Sequence, residues 1–175
     1  MIERCFLAAR ARGRHEFRLA HYSLQSNHVH LIAEADDRSV LSREMQGLLV
    51  RVARALNRLW VRKGAVFADR YHARQLRSPR EVRAALVYVL LNARRHGLRL
   101  SGIDLYSSGR WFDGWSRKLV FASRSAVATA RTWLLRVGWR RHGLVGLGER
   151  PSAPTSEFAG TSRRDRRSRR GAPTT

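Results

Sequence analysis

The chain has 175 residues, 43% of them hydrophobic, and its 35 Lys and Arg outnumber its 13 Asp and Glu to give a formal net charge of +22. The hydrophobic content excludes a chain that is disordered throughout, and the lack of an apolar run of about 18 residues excludes a membrane-spanning helix. The single Cys5 excludes an internal disulfide and a cysteine-built zinc site. No secretory signal is visible at the N-terminus, so we expect a cytoplasmic domain with an extension.

Nearly all of the positive charge is arginine, because only Lys63 and Lys118 are lysines. Coding bias in a GC-rich genome exchanges Lys for Arg, but it does not create an excess of cations over anions. A self-repelling field of this size favours a polyanionic partner. Nucleic acid is the first candidate and an anionic membrane surface is the second.

The first part of the chain predicts a helix followed by a β-hairpin. Residues 1–12 are amphipathic, with Phe6 and Leu7 on one side. Residues 17–24 and 28–35 are rich in aromatic and aliphatic side chains and are typical of strands, and the polar segment 25–27 between them is typical of a turn. We therefore expect the two strands to pair with each other.

Residues 36–63 predict a long helix with two different faces. The apolar side chains keep the three-and-four spacing of a buried face; they are Leu41, Met45, Leu48, Leu49, Val52, Leu56 and Leu59. On the other face the same spacing is kept by Arg51, Arg54, Arg58 and Arg62. This arginine stripe is either a nucleic-acid contact or a solvated face whose stems shield apolar surface. Gly64 is expected to end the helix.

A strand and a second long helix are predicted next. Residues 66–76 alternate as a strand would, with Arg70, His72 and Arg74 on one side. The segment 78–81 has the spacing of a capping box with proline at the first helical position, and the helix that it starts is expected to run to the glycine at 97. Together these elements predict an α+β fold, with helices packed on one face of an antiparallel sheet.

The composition changes after residue 100. We divide the remainder into a Trp-rich extension over 101–149, with a short helix predicted over 132–141, and a disordered Arg-rich tail over 150–175. The tryptophans of the extension form either a small aromatic core, which is the commoner arrangement, or a surface that stacks bases. The tail is expected to add non-specific affinity for a polyanion.

Four side chains are candidates for chemistry. His28 and His30 are two apart on a strand and therefore project from the same face, so they are either two ligands of a metal ion or two ordinary half-buried histidines. Tyr88 and Asn92 are four apart on the capped helix and lie one above the other. They are either functional groups at the junction of helix and sheet or amphipathic edge residues.

The segment 25–32, with its Asn-His-Val-His-Leu sequence, resembles the His-hydrophobic-His strand of the single-tyrosine HUH transposases, the insertion-sequence-200-like and REP-associated tyrosine transposases of bacteria. The segment 66–72 and the Tyr88-x-x-x-Asn92 pattern resemble the rest of that family's core in order and spacing. The resemblance covers roughly residues 15–100 and combines two motifs about 60 residues apart. It implies a ferredoxin-like antiparallel sheet with residues 1–100 as the catalytic domain.

The resemblance also implies the roles of individual residues. His28, His30 and Asn92 match the ligands of a catalytic Mg²⁺ or Mn²⁺, and Tyr88 matches the nucleophile that forms a 5′-phosphotyrosine with single-stranded hairpin DNA. The protein would then be a nucleoid-associated DNA strand transferase, either monomeric or homodimeric. Its expected DNA contacts are Arg51, Arg54, Arg58, Arg70, His72 and Arg74. Tyr71 and Tyr22 compete as nucleophiles, but Tyr71 does not match the family position and Tyr22 is expected to pack within the hairpin.

Two departures from the family pattern matter. The family's domain opens with a strand that lies beside the His-x-His strand, and this chain begins within the helix that follows, so we expect that strand to be missing. The family often has Asn-Pro where this chain has Asn92-Ala93, and alanine is expected to let the helix continue. The alternative function is therefore a truncated, inactive relative that only binds hairpin DNA. A basic RNA-binding protein unrelated to transposition is the third hypothesis.

Overall fold

The computed structural model describes residues 1–11, 15–95, 102–119 and 125–151. Its helices are α1 (Ile2–Ala11), α2 (Arg38–Leu59), α3 (Pro79–Leu90), α4 (Asn92–Arg95) and α5 (Trp133–Arg136), its strands are β1 (Phe17–Leu24) and β2 (Val29–Ala35), and two 3₁₀ turns span Ser108–Trp111 and Gly138–His142. The predicted α+β class is confirmed, with helices packed on a two-stranded antiparallel sheet. Within the described ranges, no helix has the length and apolar character needed to cross a membrane.

The predicted hairpin is confirmed in bounds and in pairing. β1 and β2 are antiparallel, from Phe17 opposite Ala35 to Leu24 opposite Val29, with one irregularity between Leu19 and His21. The turn is closed by the Gln25 N–H, which donates to the His28 carbonyl at 2.9 Å. The helices α1 and α2 pack on this hairpin through one apolar cluster, which includes Phe6, Leu19, Tyr22, Leu48 and Val52.

The second helix begins as predicted but ends early. The Asp37 carboxylate caps it by accepting from the Val40 N–H, and its buried face follows the predicted spacing. It ends at Leu59 rather than near residue 63, so Arg62 is not on the helix and Gly64 is not its cap. The reason is burial: Leu59 is 60% exposed, so no core contact holds a further turn.

The prediction of a strand over 66–76 is wrong. This segment has no regular secondary structure, with bends at residues 66, 68 and 69, and among the described residues no backbone hydrogen bond joins it to the sheet. A segment becomes a strand only if a sheet edge receives its N–H and C=O groups. The extension occupies the outer edge of β1, where the Leu24 N–H donates to the Tyr106 carbonyl and the Ala128 N–H donates to the Leu19 carbonyl, and the outer edge of β2 has no strand partner among the described residues.

The capped helix is the centre of the molecule. The predicted capping box is present, with the Ser78 hydroxyl accepting from the Glu81 N–H and the Glu81 carboxylate accepting from the Ser78 N–H. The helix is interrupted at Leu91, so the prediction of one helix continuing through Asn92-Ala93 is wrong. Its expected C-terminal glycine at 97 lies outside the described residues.

The extension explains why the second half of this helix, from Ala85 to Leu90, is buried on more than one side. The hairpin packs on one side of α3, and Phe112, Trp115, Leu135, Trp139 and Val145 from the extension belong to the same apolar cluster as α3. The core interpretation therefore holds for Trp115 and Trp139, which are 5% and 1% exposed. The predicted helix over 132–141 is split at Val137 into α5 and the second 3₁₀ turn. The described part ends at residue 151, before most of the Arg-rich tail.

A largely buried histidine on β1 predicts that the fold is sensitive to acid. His21 lies 3.3 Å from the Ser108 hydroxyl and packs edge-on against Phe112. Burial lowers the pKa of His21 from 6.5 to about 4, and Asp113 opposes that shift. Because the folded pKa lies below the unfolded value, the stabilisation is complete above pH 6.5 and is lost as the pH falls toward 4.

We expect this loss to be about 3 kcal/mol of unfolding free energy. Urea unfolding at a series of pH values measures it. In His21→Gln the dependence between pH 6.5 and 4.5 should flatten, because glutamine does not titrate. An unchanged slope in that variant would assign the acid sensitivity to other groups.

Candidate active site

The structure brings three of the four candidate side chains together where β2 faces α3. The ring centroids of His28 and His30 are 4.6 Å apart, and the rings of His30 and Tyr88 are 4.9 Å apart, both in edge-on contact. His30 is on β2, His28 is the residue directly before that strand, and Tyr88 lies in the last turns of α3. All three are partly exposed. The two-residue period of the strand therefore places both imidazoles on the face that meets the candidate tyrosine.

A neighbouring amide orients the first histidine. The His28 Nδ1 is 2.7 Å from the Asn27 Oδ1. A carbonyl oxygen only accepts, so Nδ1 carries the proton and the lone pair of the neutral ring is on Nε2. This is the arrangement by which metal-ligating histidines are usually oriented. The sequence analysis did not assign this role to Asn27; its position directly before the His-x-His strand was the available signal.

Asn92 lies one residue beyond the interruption of the helix and is 0% exposed. Among the described residues, neither its Oδ1 nor its Nδ2 has a hydrogen-bond partner. The expectation of an edge position is therefore wrong, because Asn92 is buried together with its neighbours Leu91 and Ala93. A buried amide without partners costs about 1–3 kcal/mol, so its presence calls for a physical reason.

The available donors fit a small divalent cation. Two imidazole nitrogens and one amide oxygen form a neutral set in which the oxygen suits Mg²⁺ or Mn²⁺ and the imidazoles favour the softer Mn²⁺. The described residues include no group of three His, Cys, Asp or Glu that could hold a metal ion, so a site at the two histidines would need a donor of another kind, for which the Asn92 oxygen is the candidate. The buried amide without partners is the observation that fits such a role.

The predicted DNA-contacting residues separate into two sets. Arg51, Arg54 and Arg58 lie on α2 and line a groove between α1 and α2, as the helical stripe predicts. Arg70, His72 and Arg74 are exposed but lie on the segment 66–76, which is not a strand, so they do not form the predicted strand face. Arg74 also forms an ion pair with Glu81 at 2.7 Å, next to the start of α3.

The other tyrosines are placed differently. Tyr22 is 0% exposed, and its hydroxyl donates to the Glu3 carboxylate at 2.6 Å, in agreement with packing in the hairpin core. Burial raises the pKa of Tyr22 well above its ordinary value, which opposes formation of a phenolate. Tyr71 is on the segment 66–76, which is not a strand. Tyr88 is thus the tyrosine that the structure places against His30, whose ring also contacts His28.

Comparison of this chain with protein-family models, with curated proteins and with solved structures finds no match. The resemblance to the single-tyrosine HUH transposases therefore rests on the residues of the two sequence motifs.

Proposed function

We propose that the protein is a metal-dependent strand transferase of the single-tyrosine HUH type, acting on single-stranded DNA that carries hairpins. The observation that supports this most strongly is the contact series from His28 through His30 to Tyr88. Directly beyond the interruption of α3 lies Asn92, a fully buried amide without hydrogen-bond partners among the described residues. A random pair of half-buried histidines would not require a tyrosine at the end of the series or an unsatisfied amide beyond it.

In this proposal Tyr88 is the nucleophile. Its hydroxyl oxygen attacks the phosphorus, a bond from that oxygen to phosphorus forms, and the bond from phosphorus to the 3′ oxygen breaks. The phenolic proton is lost to water and the departing oxygen takes up a proton to become a free 3′-OH. The reverse reaction with a different 3′-OH joins strands without an external energy source, because the phosphodiester energy is kept in the phosphotyrosine.

His28, His30 and Asn92 would hold the Mg²⁺ or Mn²⁺. The bound cation supplies charge stabilisation at the scissile phosphate. Asn27 keeps the His28 ring in the orientation that leaves the Nε2 lone pair available to a metal ion. The edge contact with His30 fixes the Tyr88 ring, so that less rotational freedom is lost when the substrate binds.

The ferredoxin-like form of the fold is part of the same proposal. In the described part of the chain, the edge of β2 that faces away from β1 has no strand partner. An open edge of this kind accepts a further strand, and the family's additional strand lies beside the His-x-His strand. A homodimer is also compatible with the proposal, and the molecular mass in solution distinguishes a homodimer from a monomer.

The test is formation of a covalent adduct by the full chain. Labelled single-stranded DNA from the flanks of the gene is incubated with Mn²⁺ or Mg²⁺ and analysed under denaturing conditions. We expect an adduct that EDTA abolishes and that an added 3′-OH strand reverses. A folded protein that binds the same DNA without forming any adduct would favour the alternative, an inactive relative that only binds hairpins. A preference for structured RNA over the DNA would contradict both.

A further inference from the structure

A groove between α1 and α2 carries a concentrated positive charge. It has a volume of about 650 Å³, and its lining residues include Arg4, Arg51, Arg54 and Arg58. None of the described residues that line it is acidic, and its floor is apolar, with Ala8, Ala55 and Leu59 among the lining residues. Arg51 to Arg58 is a rise of about 10 Å along the helix, so the groove can contact more than one phosphate of a strand.

The groove leads to an exposed apolar tip at the end of α2. Leu59, which also lines the groove, is followed by Trp60 and Val61, which are 52% and 93% exposed. The Arg62 guanidinium lies over the Trp60 ring at 5.8 Å from its centroid. Three consecutive large apolar side chains that are all exposed, and that lie next to cations, are typical of a contact surface rather than of a solvated helix end.

The backbone of this tip is strained and held in place. Val61 has a φ of +49°, a left-handed conformation that is costly for a β-branched residue. The Arg62 N–H donates to the Asn57 carbonyl at 2.9 Å, and the Asn57 amide donates to the Gly64 carbonyl at 2.8 Å. Strain of this kind persists only where surrounding contacts impose it, and it concentrates at functional positions.

We propose that the groove and the tip form one binding site for an extended single strand of nucleic acid. Its phosphates lie along Arg4, Arg51, Arg54 and Arg58, and an unpaired base stacks on Trp60 at the tip. The choice of DNA as the natural strand rests on the proposed function; the site itself does not. Neither Arg4 nor Trp60 belongs to the stripes that the sequence analysis assigned to DNA.

A single strand fits these features better than a duplex or a membrane. An aromatic ring stacks on the face of an unpaired base, and a duplex offers no such face along its side. A membrane surface is flat, whereas these arginines are lining residues of a concave groove. Arginine also pairs with phosphate through two parallel hydrogen bonds, and this geometry can fix the orientation of a bound strand.

The stacking part is tested by Trp60→Ala in the full chain. Fluorescence anisotropy with an oligothymidine strand should show affinity reduced by about 5- to 100-fold, with binding to a duplex almost unchanged. Trp133→Ala is the matched control, because Trp133 is 51% exposed and lies under the Arg141 guanidinium at 4.8 Å. Equal affinities of Trp60→Ala and wild type for the single strand would overturn the proposal.

The phosphate part is tested with two double variants that remove the same charge. Arg54→Gln/Arg58→Gln should lower the slope of log affinity against log salt by about 1.4. The control, Arg117→Gln/Arg136→Gln, removes two exposed arginines of the extension and should change this salt slope far less. Equal changes in both would show that only the overall charge attracts the strand.

Two further measurements distinguish a strand-binding site from a membrane contact and from the proposed catalytic site. If Trp60→Ala loses binding to vesicles of equal parts phosphatidylcholine and phosphatidylserine but keeps its affinity for the strand, the tip is a membrane contact and the proposal fails. Adduct formation is measured on the same proteins at saturating DNA. A wild-type chain that shows Trp60-dependent binding but no adduct would refute the proposed function and leave the strand site standing.

Discussion

Tyr88→Phe is expected to abolish the covalent protein–DNA adduct, with a loss of at least about 10³-fold in the rate of strand cleavage. The phenylalanine ring keeps the edge contact with His30 and removes only the hydroxyl that would attack phosphorus. The stability of the protein and its affinity for single-stranded DNA should therefore change little. The measurement is a denaturing gel of labelled DNA with Mn²⁺, together with thermal unfolding of each variant.

Tyr71→Phe is the matched control for this experiment. Tyr71 directly follows Arg70 on the segment 66–76, so it has a charged neighbour but does not make the ring contact that joins Tyr88 to His30. Its removal should leave the adduct in place. An adduct that persists in Tyr88→Phe and disappears in Tyr71→Phe would reverse the assignment of the nucleophile.

The elements that were predicted correctly are those with strong local signals. The hairpin follows from two strand-like runs with a polar turn between them, and the start of α3 follows from Ser78, Pro79 and Glu81, whose side-chain bonds are local. These signals act within a few residues and do not depend on the rest of the chain. The same holds for the imidazole pair, because the period of two along a strand fixes the shared face of His28 and His30.

The wrong predictions concern features that depend on distant residues. The segment 66–76 has a strand-like alternation, but it joins neither edge of the sheet: the extension occupies the outer edge of β1 through Tyr106 and Ala128, and the outer edge of β2 has no strand partner among the described residues. The end of α2 depends on whether Leu59 finds a core contact, which it does not. Neither fact is visible in a local pattern, because each one depends on packing between residues that are far apart in sequence.

The burial of Asn92 is the most informative feature that a helical pattern does not predict. On a regular helix of 3.6 residues per turn, an amide four residues after Tyr88 would lie on the same edge. The helix is interrupted at Leu91, and Asn92 beyond it is fully buried instead. The sequence therefore predicted a candidate residue, but only the folded structure shows that its amide is withdrawn from water without hydrogen-bond partners among the described residues.

Replacing this amide should raise stability and remove metal binding at the same time. In Asn92→Leu a side chain of similar size takes the place of a buried polar group without partners, so in EDTA the unfolding free energy should increase by about 1–3 kcal/mol. The wild type should gain about 2.7 kcal/mol from Mn²⁺ at 100 times its dissociation constant. The variant should gain almost nothing, and urea unfolding with and without Mn²⁺ measures both effects.

Asn92→Asp provides the opposite control. A carboxylate at this buried position is uncompensated without a cation, so in EDTA this variant should be less stable than the wild type. Because the carboxylate keeps an oxygen donor and adds a charge, Mn²⁺ should stabilise it more than it stabilises the wild type. If Asn92→Leu is instead destabilised in EDTA, the amide has a structural role. If that variant keeps the full Mn²⁺ effect, the ion binds elsewhere, because an effect that passes through the Asn92 oxygen cannot survive its removal.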